Sequence, residues 1–263
     1  MDILSAVILG IIEGLTEFLP ISSTGHLILA ANFLGLTNND FLKTFEISIQ
    51  FGSILAVVFI MKKELFNLTT AKKETLNLWL KLAISFVPTG IIGFFAYSYI
   101  KSLFNIYVVS VMLIIGGIAF LALEFWFKKS KKPFKKMHLN DITFKDAFLI
   151  GLSQSLAMIP GTSRSGSTIF CALLLGFSRK LSAEFSFFLA IPTMFTATAY
   201  SIYKSIDLLH LANLHILLIG GIVAFFTALL AIKLFLAIVQ KFSYSAFGIY
   251  RICLGLIILT QIA

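Results

Sequence analysis

The chain has 263 residues, of which 59% are hydrophobic and only 13% charged, with a mean hydropathy of +0.97. A soluble domain is nearer half apolar and about a quarter charged, and a β-barrel would show alternating segments of about ten residues, so both are excluded in favour of an all-α polytopic membrane protein. The net charge of +9 would suit a nucleic acid, but no aromatic-interleaved basic groove is present.

Residues 3–36 begin apolar but do not form one span. The stretch 3–12 lacks a basic flank and a small-residue cleavage site, so it does not read as a cleavable signal peptide. The polar run EGLTEFLPISSTGH, residues 13–26, follows, and Pro20 within it splits the region into two half-helices around an irregular loop. A first span is predicted over 41–61, then lysines at 62, 63, 72 and 73, then spans over 76–100 and 104–127. Each has about the twenty apolar residues needed to cross a bilayer. Lys128, Lys129, Lys131, Lys132, Lys135 and Lys136 crowd the next loop. Residues 142–176 are again broken, by Pro160, Gly161 and Gly166 within IPGTSRSGSTI at 159–169. Spans over 183–203, 214–235 and 244–262 complete the chain. Cys171 and Cys253 both lie in apolar segments and read as unpaired.

The two broken regions align. Gly10, Glu13 and Leu15 correspond to Gly151, Gln154 and Leu156; Pro20 and Ser23 to Pro160 and Ser163; Gly25 to Gly166 after a slip of one residue. Phe45–Glu46 likewise resembles Glu184–Phe185. The expected architecture is a single membrane domain, 1–263, of six transmembrane helices plus two re-entrant broken-helix hairpins, in repeats of about 1–128 and 140–263. Lysine-rich loops face the cytoplasm and attract anionic headgroups. That places both termini outside and, with three spans per repeat, inverts the repeats. Irregular backbone at membrane depth is tolerated only where protein buries it or water lines it, and inverted repeats with broken helices put their site near the midplane. The two polar loops should therefore meet.

Charged groups at that depth are functional suspects. Glu13 and Glu17, at i and i+4, share a helix face. Two close carboxylates in a dry site must share a proton or hold a cation, so general-base work and capture of Mg²⁺ or Ca²⁺ both fit. Ser22, Ser23, Thr24 and Gly25 precede His26 within one helical turn, the setting of an activated hydroxyl nucleophile, although hydroxyls after a proline also cap helices. In the second loop Arg164 stands among Gly161, Thr162, Ser163, Ser165, Gly166, Ser167 and Thr168. Glycine-rich backbone at a helix N-terminus forms an anion nest, and arginine adds a forked donor for phosphate. The simpler role for Arg164 is a salt bridge to Glu13 or Glu17. Glu46, Gln50 and Glu184 are expected to support the loops. Arg251 is expected at a helix interface or the far wall of the site, and His138, His210 and His215 near solvated loops.

EGLTEFLPISSTGH and PGTSRSGSTI resemble the paired signatures of bacterial undecaprenyl-diphosphate phosphatases of the bacitracin-resistance type, over the whole chain. The resemblance implies removal of the terminal phosphate from undecaprenyl diphosphate in the bacterial plasma membrane, for cell-wall synthesis. Its glutamate pair falls on Glu13 and Glu17, its nucleophilic serine on Ser23, its histidine on His26, and its phosphate-binding serine and arginine on Ser163 and Arg164. It also suggests a divalent cation bridging the glutamates and a polyprenyl diphosphate substrate; self-association as a homodimer stays open. Lipid phosphatases of the phosphatidic-acid type need an H-x-x-x-D after the S-R element, which is absent after Arg164. The competing class is a transporter flipping the phosphorylated carrier, since inverted repeats around a midplane site are common transporter architecture; phosphate release by the purified protein separates the two. A structural scaffold leaves the polar loops unexplained.

Overall fold

A computed structural model describes residues 1–37, 39–67, 69–103, 105–131, 133–204 and 211–262. Lys132 of the second lysine cluster, position 104 at the start of the third predicted span, and His210 lie outside the described residues. Among the described residues the regular structure is helical, and the β pairing is one isolated bridge between Lys136 and Phe177.

The helices are α1 (Ile3–Thr16), α2 (Ser23–Phe33), α3 (Asp40–Ile60), the short α4 (Lys62–Phe66), α5 (Lys72–Ser102), α6 (Ile106–Ser130), α7 (Phe144–Gln154), α8 (Arg164–Leu174), α9 (Arg179–Lys204), α10 (Leu211–Lys241) and α11 (Ser245–Ile262). Among the described residues five helices are long and apolar enough to cross a membrane: α3, α5, α6, α9 and α10. The predicted sixth span, 244–262, forms α11, which is shorter.

Helix starts follow from local chemistry. Asp2, Asn39 and Asn105 accept the backbone N–H three residues on at 2.8, 2.9 and 2.8 Å, satisfying donors that the first helical turn leaves orphaned. Thr143 and Asp146 cap α7 reciprocally, Thr143 Oγ1 accepting from Asp146 N at 3.1 Å and Asp146 Oδ2 from Thr143 N at 2.8 Å.

Both breaks appear where the prolines predict them. α1 ends at Thr16 and α2 begins at Ser23; α7 passes through a 3₁₀ turn at Ser155–Met158 before α8 begins at Arg164. α1 packs along α10 and α3, whereas α7 packs along α5, α8 along α9 and α11 along α6. Close approach is visible in the hydrogen bonds: Ser85 and Thr89 of α5 donate to the Ala147 and Gly151 carbonyls of α7 at 2.7 and 2.8 Å. Thr227 of α10 donates to the Gly10 carbonyl of α1 at 3.3 Å. Phe18, in the first break, is fully buried against Phe187 of α9, ring centroids 5.2 Å apart. At membrane depth such close packing, and not transfer from water, holds elements together, and it pins that break to α9.

At the lysine-rich end, Arg179 makes a forked pair with Glu124, at 3.0 and 2.5 Å, and Glu124 also accepts from Tyr244 N at 2.9 Å. This ties α6, α9 and the start of α11 together.

Candidate active site

The half-helices α2 and α8 begin in the same way. Ser22 and Ser163 are their N-caps, with φ of 69° and 75°, and their hydroxyls accept from Gly25 N at 3.4 Å and Gly166 N at 3.1 Å. A left-handed φ is uncommon outside glycine, and such strain collects at functional sites. The two half-helices also end alike, at left-handed Gly35 and Gly176. The caps correct the alignment read from sequence: Ser22, not Ser23, is the counterpart of Ser163, and no slip is needed to pair Gly25 with Gly166. Ser23 and Arg164 then become the matched first residues of α2 and α8.

These two side chains converge on Glu17. Ser23 Oγ donates to Glu17 Oε2 at 2.5 Å, and Arg164 Nη2 donates to Glu17 Oε1 at 3.0 Å. All three are nearly buried, side chains of Arg164 and Glu17 being 11% and 7% exposed. Arg164 Nη1 donates to the Ser186 carbonyl at 2.8 Å, and its guanidinium lies 5.8 Å from the Phe18 ring centroid. The salt bridge expected as the simpler role of Arg164 is therefore present, and it joins the two hairpins.

Ser165 reaches back across the same junction, donating to the Leu19 carbonyl at 2.8 Å, with Ser163 Oγ 3.1 Å away. Thr162 Oγ1 is buried and has no hydrogen-bond partner among the described residues. Glu13 is fully buried, and neither of its carboxylate oxygens has a hydrogen-bond partner among the described residues. An ionised carboxylate left so is very costly, so this position suits a proton or a bound cation.

His26 lies apart from this junction. Its Nδ1 meets the Ser22 carbonyl at 2.7 Å and its Nε2 meets the Tyr250 hydroxyl at 2.7 Å. A carbonyl only accepts, so Nδ1 carries a proton. Both ring nitrogens are thus occupied away from Ser23, and the base in contact with Ser23 is Glu17.

A cavity of about 210 Å³ opens beside the junction. Glu17, Ser22, Ser23, Thr24, Gly161, Ser163 and Arg164 line it; Glu13, Gly25, His26, Thr162, Ser165 and Gly166 do not. The rest of its lining includes residues the sequence did not single out, Thr89, Thr193, Met158 and Met194, together with Gln50 and Gln154, which it did. Gln154 Nε2 donates to Thr89 and Thr193 at 3.0 and 3.1 Å. A signal for the two threonines exists, since Pro88–Thr89 and Pro192–Thr193 are matching dipeptides inside two apolar spans. Proline in a spanning helix frees backbone groups that neighbouring hydroxyls re-satisfy.

The family described as bacitracin resistance protein BacA matches residues 6–257. A protein of Campylobacter fetus subsp. fetus named undecaprenyl-diphosphatase is 58% identical over 264 residues, covering 100% of both chains. Proteins of the same name from Wolinella succinogenes and Persephonella marina are 53% and 52% identical over 259 residues, each covering 98% of both chains.

Proposed function

This chain belongs to the bacitracin resistance protein BacA family, and we propose that it hydrolyses undecaprenyl diphosphate within the membrane to undecaprenyl phosphate and phosphate, returning the lipid carrier to cell-wall synthesis. The observation that carries the mechanism is the chain Ser23–Glu17–Arg164, a hydroxyl, a base and a permanent cation from both hairpins on one cavity wall. The relatives' name favours hydrolysis over transport of the carrier.

The terminal phosphoryl group enters the cavity while the prenyl tail stays in lipid. Arg164 and the backbone around Ser163 hold its oxygens, as forked guanidinium donors and helix N-termini do. Glu17 takes the proton of Ser23 Oγ as the Oγ–phosphorus bond forms. The bond from that phosphorus to the bridging oxygen breaks, and undecaprenyl phosphate leaves with the electron pair. Glu17 gives its proton to the departing phosphate oxygen; again ionised, it takes a proton from a water that attacks the phosphoserine, and returns that proton to Ser23 Oγ as the phosphorus–Oγ bond breaks and phosphate leaves. Preorganised charge from Arg164 stabilises both transition states. A divalent cation, Mg²⁺ or Ca²⁺, would be held by the unpartnered carboxylate of Glu13, both Glu17 oxygens being engaged by Ser23 and Arg164, and would supply positive charge to the site.

The architecture in this reading has six crossings, α11 being the sixth, and the hairpins α1–α2 and α7–α8 as re-entrant elements in inverted repeats. The reciprocal packing supports it: α1 lies on α10 of the other half, and α7 on α5 of the other half. Lysine-rich loops then face the cytoplasm and both termini the outside.

The test is phosphate release from undecaprenyl diphosphate by the purified protein in detergent. Release that disappears in Ser23→Ala is the expected result; absence of release by the parent protein contradicts the reading.

A further inference from the structure

Arg251 is among the largest fully buried side chains of the protein, 0% exposed, and has no carboxylate partner among the described residues. Its guanidinium is spent on backbone carbonyls. Nη1 donates to Pro20 O at 2.9 Å, Nη2 to Gly161 O at 3.0 Å and to Met112 O at 3.1 Å, and Nε to Leu113 O at 3.3 Å. Pro20 and Gly161 each stand two residues before the strained serine cap of their half-helix. One side chain therefore grips the equivalent carbonyl in both breaks and ties both to α6.

We infer that Arg251 is a positioning residue of this site, a buried guanidinium that sets the nucleophile-bearing hairpin against the phosphate-gripping hairpin. The inference rests on the proposed phosphatase function.

Three observations support more than a packing role. First, a buried cation is costly unless fully hydrogen-bonded, and apolar residues would fill an interface between α6 and α11 at less cost. Second, it stands by the N-termini of α2 and α8, in reach of Gly166 in the first turn of α8, to which a Cβ would bring it within 3.1 Å of Nη1. Helix N-termini disfavour positive charge, and an anion in the adjoining cavity offsets all three. Third, α6 makes room for the guanidinium at Gly116, where an added Cβ would fall 2.6 Å from Arg251 Cζ. The four acceptors come from three separate segments, so only the forked, planar group of arginine serves them together.

The expected consequence is in kcat. Arg164 still binds phosphate when Arg251 is replaced, but Ser23 no longer sits in line, and a displacement near 1 Å costs about 100-fold in rate. Arg251→Met, Arg251→Lys and Gly116→Ala are to be purified, their folded fraction measured by thermal melting, and their phosphate release from undecaprenyl diphosphate measured against substrate concentration. Arg251→Met is expected to lose about 100-fold in kcat per folded molecule, with KM within about threefold. Gly116→Ala keeps the charge but displaces it, and loses about tenfold. Arg251→Lys falls between the parent and Arg251→Met. If Arg251→Met does not fold, the lysine and Gly116→Ala variants decide. Parent-like kcat per folded molecule in the variants that fold overturns the inference, as does loss confined to the folded fraction or to KM. A parent protein that releases no phosphate contradicts the proposed function instead.

Discussion

The two broken hairpins share a backbone and differ in chemistry. Each has a serine cap at left-handed φ, a glycine N–H donated to that cap and a glycine closing the half-helix. At matched positions, counted from the caps, the first hairpin carries Glu13, Glu17, Ser23 and His26 where the second carries Gln154, Met158, Arg164 and Ser167. Both carboxylates and the serine hydroxyl that meets Glu17 are thus on one side and the guanidinium on the other. In the proposed mechanism neither hairpin alone holds both the nucleophile and the phosphate ligand, so the two halves make one site only where they meet at Glu17.

Substitutions that remove this division should rank by how directly they touch the phosphoryl group. Ser23→Ala deletes the proposed nucleophile, and phosphate release is expected to fall by about 10³-fold or more, read as kcat at saturating substrate. Arg164→Met leaves the first hairpin with no cation opposite it; a loss on the order of 10³ in kcat/KM is expected, as for other transition-state arginines. Glu17→Gln keeps both hydrogen-bonded neighbours but removes the base, and a loss of about 10²- to 10⁴-fold in kcat is expected with the fold intact by melting. Glu13→Gln makes the first hairpin resemble the second. Activity at fixed Mg²⁺ should fall roughly tenfold, and more divalent ion should be needed for half-maximal rate, if the orphaned carboxylate holds cation charge. The smallest effect is expected from Tyr250→Phe, which removes the partner of His26 Nε2: about 1 kcal/mol of stability and little change in kcat, since His26 does not line the cavity.

Much of this comparison was legible in the sequence because prolines and polar residues stand out in an apolar chain. The breaks and the polar residues of both loops came from that contrast, while the family resemblance singled out Ser23 and Ser163 among their neighbours. The register between the hairpins did not. Pro20 and Pro160 look equivalent, but a proline fits any non-helical position of a break, whereas a cap hydrogen bond demands the serine three residues before the N–H it accepts. Counting from Ser22 and Ser163 therefore gives the true match. The placement of His26 was hidden for a related reason: one turn along a helix is close in sequence, yet its ring nitrogens meet the Ser22 carbonyl and Tyr250. Of the remaining cavity lining, Thr89 and Thr193 were hidden because single hydroxyls in spanning helices usually bond their own backbone, and only tertiary packing makes them face a cavity. Arg251 was visible as a buried charge, but its four carbonyl partners lie in three segments distant in sequence.

The central claim, that Ser23 of one hairpin attacks a phosphoryl group held by Arg164 of the other, is tested most directly by acid quench. Undecaprenyl diphosphate labelled in its terminal phosphate is mixed with the protein, turnover is stopped within milliseconds, and the label is mapped on the chain. The account predicts phosphoserine at Ser23 in the parent protein and none in Ser23→Ala, which also fails to release phosphate. Release by Ser23→Ala at the parent rate, with no label on the parent chain at any quench time, would contradict it.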